Sequence, residues 1–205
     1  MVFLKRTMLL FLCLWGGMLY AQSESPLNKA FVKSFTLEEK QNYNAAAETL
    51  LKVYQKNSYE TNLRIGWLLY KANKYKESII YYTRAINLMP YSIEAKLGAS
   101  LPESSLNLWD SVLQLYGDVL MVDSKNTKAL YNTGLIYYNR GSYIQALRYF
   151  KELHNLYPTD YDAIFMHGWT NIKMGKLREA KVIFNQLLLL YPDDESGLEA
   201  IKILE

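Results

Sequence analysis

Cysteine is almost missing from this chain: Cys13 is the only one in 205 residues. It lies inside an N-terminal apolar run and follows Leu12, where a lipid-attachment cysteine would follow a small residue. Past that run there is no thiol. Disulfides, zinc–thiolate sites and thiol catalysis are therefore excluded, and packing alone must hold the fold. Histidine is nearly as scarce. His154 and His167 show no metal-ligand spacing with a carboxylate, and each reads as a structural or solvated residue. No glycine loop with an adjacent lysine could cradle a phosphate, and there is no nucleophile elbow. Asp160, Asp162, Asp193 and Asp194 read as helix caps rather than metal ligands. The chain is expected to be no enzyme and to carry no catalytic residue, metal or cofactor.

Excess charge is missing too. The 23 basic residues face 20 acidic ones, and without Lys5 and Arg6 the count is 21 against 20. Such a balance gives nucleic acid or an anionic membrane nothing to hold. Nor is there a long apolar run. Thr7 to Tyr20 is about 14 residues, short of the roughly 20 that span a bilayer. Lys5 and Arg6 precede it, and Ala21 then Gln22-Ser23-Glu24-Ser25 follow it. Basic start, apolar middle and small-residue end are the plan of an export signal. Residues 1–21 are expected to be removed, leaving no membrane span and a mature chain, 22–205, in a bacterial periplasm or envelope. The alternative is an uncleaved anchor.

What the chain does have is a period. The steps from Pro90 to Pro158 and on to Pro192 are 68 and 34. Gly134 and Gly168, Gly141 and Gly175, Ala146 and Ala180, and Phe150 and Phe184 are each 34 apart, while Gly66 and Gly134, and Tyr75 and Tyr143, are 68 apart. Matched glycine, alanine, aromatic and proline places at one fixed step mark a repeat array, in which each unit buries its apolar face against its neighbours.

The pattern resembles the tetratricopeptide repeat, a pair of antiparallel helices in a unit of about 34 residues. The resemblance covers nearly all of the mature chain. It implies an all-α fold, a right-handed α-solenoid of about five helix-turn-helix repeats. The units run 26–58, 59–92, 93–126, 127–160 and 161–194, with a capping helix at 195–205. Residues 127–160 match best, through Gly134, Tyr137, Gly141, Tyr143, Ala146, Phe150 and Pro158. In 59–92, Ser78 takes the alanine place. The unit 93–126 is degenerate: Gly98 is off the pattern, and Pro102 is expected to end the first helix near Leu101, with a turn through Ser105. In the first unit, Thr36 and Glu39 suggest a capping box that would split its first helix.

The resemblance also places a site. First helices of the family line a concave groove. The matching places are Glu60, Leu63, Trp67, Tyr70 and Lys71, then Lys128, Tyr131, Leu135, Tyr138 and Asn139, then Asp162, Phe165, Trp169, Ile172 and Lys173. Tyrosine and tryptophan anchor interfaces well, because they bury much area at little rotamer cost. The implied function is a non-enzymatic scaffold holding a protein or peptide partner in an aromatic groove. Two readings stay open beside it. The rings could instead pack against one another, or the array could self-associate as a homo-oligomeric envelope component docked at its interrupted third unit. A chaperone-tail carboxylate clamp is not expected, since Asp162 and Met166 stand where cations would be needed.

Overall fold

The computed structural model describes residues 25–205. The export-signal reading of 1–21 lies outside those residues. The described residues form eleven helices joined by short turns, and none is strand. They are α1 (Pro26–Glu39) and α2 (Tyr43–Leu51), α3 (Tyr59–Lys71) and α4 (Tyr75–Leu88), α5 (Ile93–Ser105) and α6 (Trp109–Val122), α7 (Thr127–Asn139) and α8 (Tyr143–Leu156), α9 (Tyr161–Lys173) and α10 (Leu177–Leu190), and α11 (Glu195–Ile203). From α3 onward, first helices start at one fixed step, the period of the sequence, and so do second helices. Each helix packs on the next along the chain, and α3 also touches α5, so first helices stack side by side as an α-solenoid. Among the described residues, no helix is long and apolar enough to cross a membrane.

Local chemistry sets the period. Ser58, Ser92, Asn126, Asp160 and Asp194 recur at that same step, and each caps a first helix by accepting the backbone N–H three places on. Such a bond satisfies one of the free donors at a helix start. Asp160 and Asp194 are thus caps, at 2.9 and 2.6 Å. The turn inside each unit needs one left-handed residue. Asn73, Asn107, Gly141 and Gly175 supply it at the same register, with φ between 58° and 72°, and Gln41 supplies it in the first unit. Glycine does this without strain, and asparagine is the next most tolerant residue.

The core lies between the two helix layers. Tyr82, Phe150 and Phe184, at one register of the second helices, are essentially fully buried. Each ring lies against a glycine of a first helix. A Cβ at Gly134 would come within 2.8 Å of Phe150, and one at Gly168 within 2.7 Å of Phe184. Ser78, in the alanine place, donates its hydroxyl hydrogen to the Gly66 carbonyl at 2.6 Å.

Two sequence expectations are corrected. Pro102 does not end α5, which continues to Ser105 in the same register as its neighbours. Proline removes only the single backbone bond that the Gly98 carbonyl would have accepted. The last turn then closes on the Glu103 carbonyl, which accepts from Leu106 and Leu108 at 3.1 and 3.0 Å. The proline ring itself is buried. Gly98 also has its own role, because a Cβ there would overlap the Tyr82 ring. The third unit is therefore intact, and a docking site created by its interruption has no basis. Secondly, α1 is one helix, capped by Ser25 with Pro26 in its first turn. Thr36 donates to the Val32 carbonyl at 3.2 Å, so its hydroxyl is engaged inside the helix rather than capping a new one. The irregularity of the first unit falls instead in α2, which stops at Leu51 and is shorter than the other second helices.

Candidate functional site: a groove on the first-helix face

Residues spaced by three and four on a helix share one face. On α3 these are Glu60, Leu63, Arg64 and Trp67, and they line a groove of about 910 Å³ together with residues of the flanking first helices. Phe31 and Phe35 come from α1, Leu97 and Leu101 from α5, and Lys128 from the start of α7. Leu97 and Leu101 stand one period beyond Leu63 and Trp67. Sequence reasoning sets them aside because of Pro102; the unbroken period would have found them. It misses Phe31 and Phe35 because the first unit is offset from the others by two places.

One acidic residue organises the groove's N-terminal wall. Glu38 accepts a hydrogen bond from the Trp67 indole at 2.5 Å and forms an ion pair with Arg64. The Arg64 guanidinium lies 3.9 Å from the Phe35 ring centroid, and its Nε donates to Ser34 at 3.3 Å. Its Nη2 is buried without a partner. Charge-assisted bonds and cation–π contact hold planar groups in fixed orientations. Trp67 is therefore presented to the groove in one position. Tyr70 and Lys71 continue this edge. Tyr70 packs on Trp67 at 5.8 Å between centroids, and the Lys71 ammonium sits 5.3 Å from the Tyr43 ring and 5.5 Å from Trp67.

Further along, the expected site residues separate. Tyr131 packs on Phe150 at 6.0 Å and borders a second, smaller cleft of about 480 Å³ with Lys128 and Asp162. Burial raises the Tyr131 hydroxyl's pKa, with the Asp162 and Asp160 charges adding to it. Leu135 is half-buried, Tyr138 packs on Tyr143 at 5.4 Å, and Asn139 is exposed. In the last full unit the rings turn on one another. Phe165 stacks on Tyr161 at 5.4 Å, and Trp169 packs against Phe184 at 5.6 Å. Ile172 joins them, and Ile201 and Leu204 of the C-terminal segment pack against the same buried core. The Trp169 indole N–H is buried without a partner. Lys173 stays exposed. The structure thus gathers Glu60, Leu63, Trp67 and Lys128 around open space and packs the half-buried Phe165, Trp169 and Ile172 against the C-terminal core.

Comparison with known proteins matches this geometry. Residues 59–91, 127–160 and 162–194 each match a family model described as tetratricopeptide repeat. A tetratricopeptide repeat protein from Parabacteroides merdae has a similar structure, with a TM-score of 0.75 at 22% identity, covering 87% of this chain and 72% of that one. The chain belongs to the tetratricopeptide repeat family. The MamA protein is similar at a TM-score of 0.73 and 17% identity, over 83% of this chain and 94% of the other. In sequence, Protein CTR9 homolog of Arabidopsis thaliana is 24% identical over 66% of this chain, and Superkiller protein 3 of Saccharomyces cerevisiae is 26% identical over 52%. The chain spans only 12% and 8% of the length of those relatives.

This repeat protein also brings its two histidines together, which their separation in sequence did not suggest. His154 on α8 and His167 on α9 meet Nδ1 to Nδ1 at 2.8 Å. One ring must donate and the other accept, so at least one Nδ1 is unprotonated. Burial lowers the pKa of both, that of His167 to about 4, where the charges of His154 and Lys151 add to the effect. Among the described residues, no cluster of three metal-ligating side chains exists. The pair is a half-buried contact between two units.

Proposed function

We propose that this tetratricopeptide repeat scaffold binds a protein or peptide partner in the groove lined by Phe31, Phe35, Leu63, Trp67, Leu97 and Leu101. Repeats of this family form protein–protein interaction scaffolds that are typically non-enzymatic, which supports this reading. The observation that carries the finer reading is the groove itself. It offers about 910 Å³ of open space with apolar walls, and its central tryptophan is held in place by Glu38. Preorganised aromatic and aliphatic walls reduce the ordering cost of binding. Glu60, Glu94 and Lys128, at one register place in the first turns of α3, α5 and α7, would line one margin of the groove and orient a segment crossing the first helices. An amphipathic helix or an extended stretch with apolar anchors fits such a surface. The N-terminal basic-apolar-small pattern supports placing the scaffold in the cell envelope after export.

Capture of partners from envelope extracts tests the reading. The native protein is compared with a Trp67→Ala/Leu63→Lys variant whose helicity is checked by circular dichroism. A partner enriched by the native protein and lost from the folded variant is the expected result. Recovery of the same proteins by both would move binding away from this groove.

A further inference from the structure

The walls of the first-helix groove are rich in rings and methyl groups and poor in free hydrogen-bonding groups. The Trp67 indole N–H goes to Glu38, and the Tyr59 hydroxyl pairs with the Ser92 hydroxyl at 2.7 Å. The Arg64 guanidinium is engaged by Glu38 and Ser34, and its remaining nitrogen, Nη2, is buried. Tyr82 contributes to the floor but is only 2% exposed. An extended segment would press its backbone N–H and C=O groups against these walls with almost nothing to pair them, and unpaired buried peptide groups are costly. An α-helix satisfies those groups within itself. The wall chemistry therefore selects a helical occupant. The margin's charges set its sequence pattern. Glu60, Glu94 and Lys128 are all exposed, although Glu60 also accepts from the Ser58 hydroxyl at 3.0 Å. They stand at one register place on successive first helices, and α3 packs directly on α5. Packed helices lie side by side at a spacing that puts such residues about 10 Å apart. Seven residues of an α-helix rise about 10.5 Å and return to the same flank.

We propose that the groove takes an amphipathic α-helix of a protein partner, with a cation, a cation and an anion at i, i+7 and i+14 along one flank. The helix crosses the first helices, its apolar face resting on Leu63, Trp67, Leu97 and Leu101. Its two cations meet Glu60 and Glu94, and its anion meets Lys128. This occupant presupposes the groove reading above and adds a conformation and a charge order to it. Apolar burial supplies most of the affinity. Exposed ion pairs are weak and screened by salt, so the three charges fix register and orientation more than strength.

Three synthetic peptides, each about five helical turns in length, test this against the native chain at low salt. The first has leucines on one helical face, with lysine, lysine and glutamate at i, i+7 and i+14 on the flank. The second keeps the leucine face and carries glutamate, glutamate and lysine at those places. The third keeps the first peptide's side chains but includes prolines that forbid a helix. Fluorescence anisotropy reads affinity, and circular dichroism reads helicity gained on mixing. The first peptide is expected to become helical on binding and to bind at least tenfold tighter than either of the others. A Glu60→Lys/Glu94→Lys/Lys128→Glu variant should reverse the order of the first two. Lys128 shows that lysine is accommodated at this first-turn place, and an unchanged thermal midpoint confirms that the fold is kept. Equal affinity for the first two peptides would overturn the charge order. Tighter binding of the third would overturn the helical occupant and leave the groove reading standing. Binding of the first peptide that survives Trp67→Ala/Leu63→Lys would overturn both. Binding of none would overturn this occupant alone, since capture from extracts judges the groove separately.

Discussion

Both halves of the first-helix face are built from the same half-buried register places, yet one borders a groove and in the other the rings pack on one another. In the N-terminal half, Leu63 and Trp67 on α3 and Leu97 and Leu101 on α5 border free space. In the C-terminal half the same places hold Phe165 and Trp169, which pack on Tyr161 and Phe184, with Ile201 and Leu204 against the same core. Two features produce the difference. Larger rings at the C-terminal end reach one another across the helix face. At the N-terminal end the Trp67 indole instead donates to Glu38 while its ring packs on Tyr70. An aromatic stripe read from sequence can thus line open space at one end of an array and pack ring on ring at the other. The discriminating fact is the polar partner of a single indole. The Trp67 N–H has one, and the Trp169 N–H has none.

The sharpest test of the contrast swaps alanine into each half. Trp169→Ala should cost about 3 kcal/mol of stability, since truncating a packed tryptophan removes most of its contacts, while leaving partner capture intact. Trp67→Ala should have the reverse emphasis: at least about 2 kcal/mol lost in binding, roughly 30-fold, with a smaller loss of stability. Chemical denaturation and partner binding, measured on both variants, would show it. Equal effects of the two changes on binding would erase the distinction.

The next test concerns the groove's floor. Gly98→Ala places a Cβ against the Tyr82 ring and should cost about 2 kcal/mol by overpacking. Gly117→Ala on α6 meets nothing within 4 Å and should instead stabilise by about 0.5–1 kcal/mol. Thermal unfolding of the pair distinguishes a glycine required by close approach from one that is not.

Acid should act on the C-terminal half. His167 has a folded pKa of about 4, below its ordinary value of 6.5. The unfolded chain therefore binds the proton first as pH falls, and stability is lost between about pH 6.5 and pH 4. Allowing for partial solvent screening, the loss should be about 1–2 kcal/mol. Denaturant midpoints at neutral pH and near the lower end of that window read it, and His167→Gln should flatten the difference. An unchanged pH dependence in that variant would place the acid sensitivity elsewhere.

The smallest effect belongs to the third unit. Burial raises the Glu103 carboxyl's pKa, and its Oε2 has no partner. The folded state then holds a proton more tightly than the unfolded one, so this group favours folding below its ordinary pKa and loses that advantage as pH rises through the folded value. Glu103→Gln should stabilise by about 1 kcal/mol at neutral pH, with the gain shrinking as the medium becomes acidic. A variant less stable than the native protein at neutral pH would show that the carboxylate is better satisfied than its surroundings indicate.

The fixed period made the fold legible, because caps, turns and core aromatics each depend on one residue at one place. Asp160 and Asp194 could be read as caps, and Gly141 and Gly175 as turn residues, for that reason. Asn73 and Asn107 occupy the same left-handed turn and went unread, since asparagine is only tolerated there and carries a weaker signal. Pro102 misleads the reading of α5. Propensity assigns proline the full cost of a helix break, whereas near the last turn only one bond is lost and the ring can be buried. The site was half legible. Register located Leu63 and Trp67, but no spacing rule shows that Glu38, at the end of the preceding first helix, would fix the Trp67 indole, or that His154 would meet His167.

Site-specific photo-crosslinking in the producing cell tests the open-groove claim most directly. A benzoylphenylalanine at position 97 is compared with one at position 172, each in an otherwise native chain. The expected result is a discrete crosslinked partner from position 97, lost when Trp67→Ala is added, and none from position 172. Crosslinks from position 172 alone, or equally from both, would contradict it.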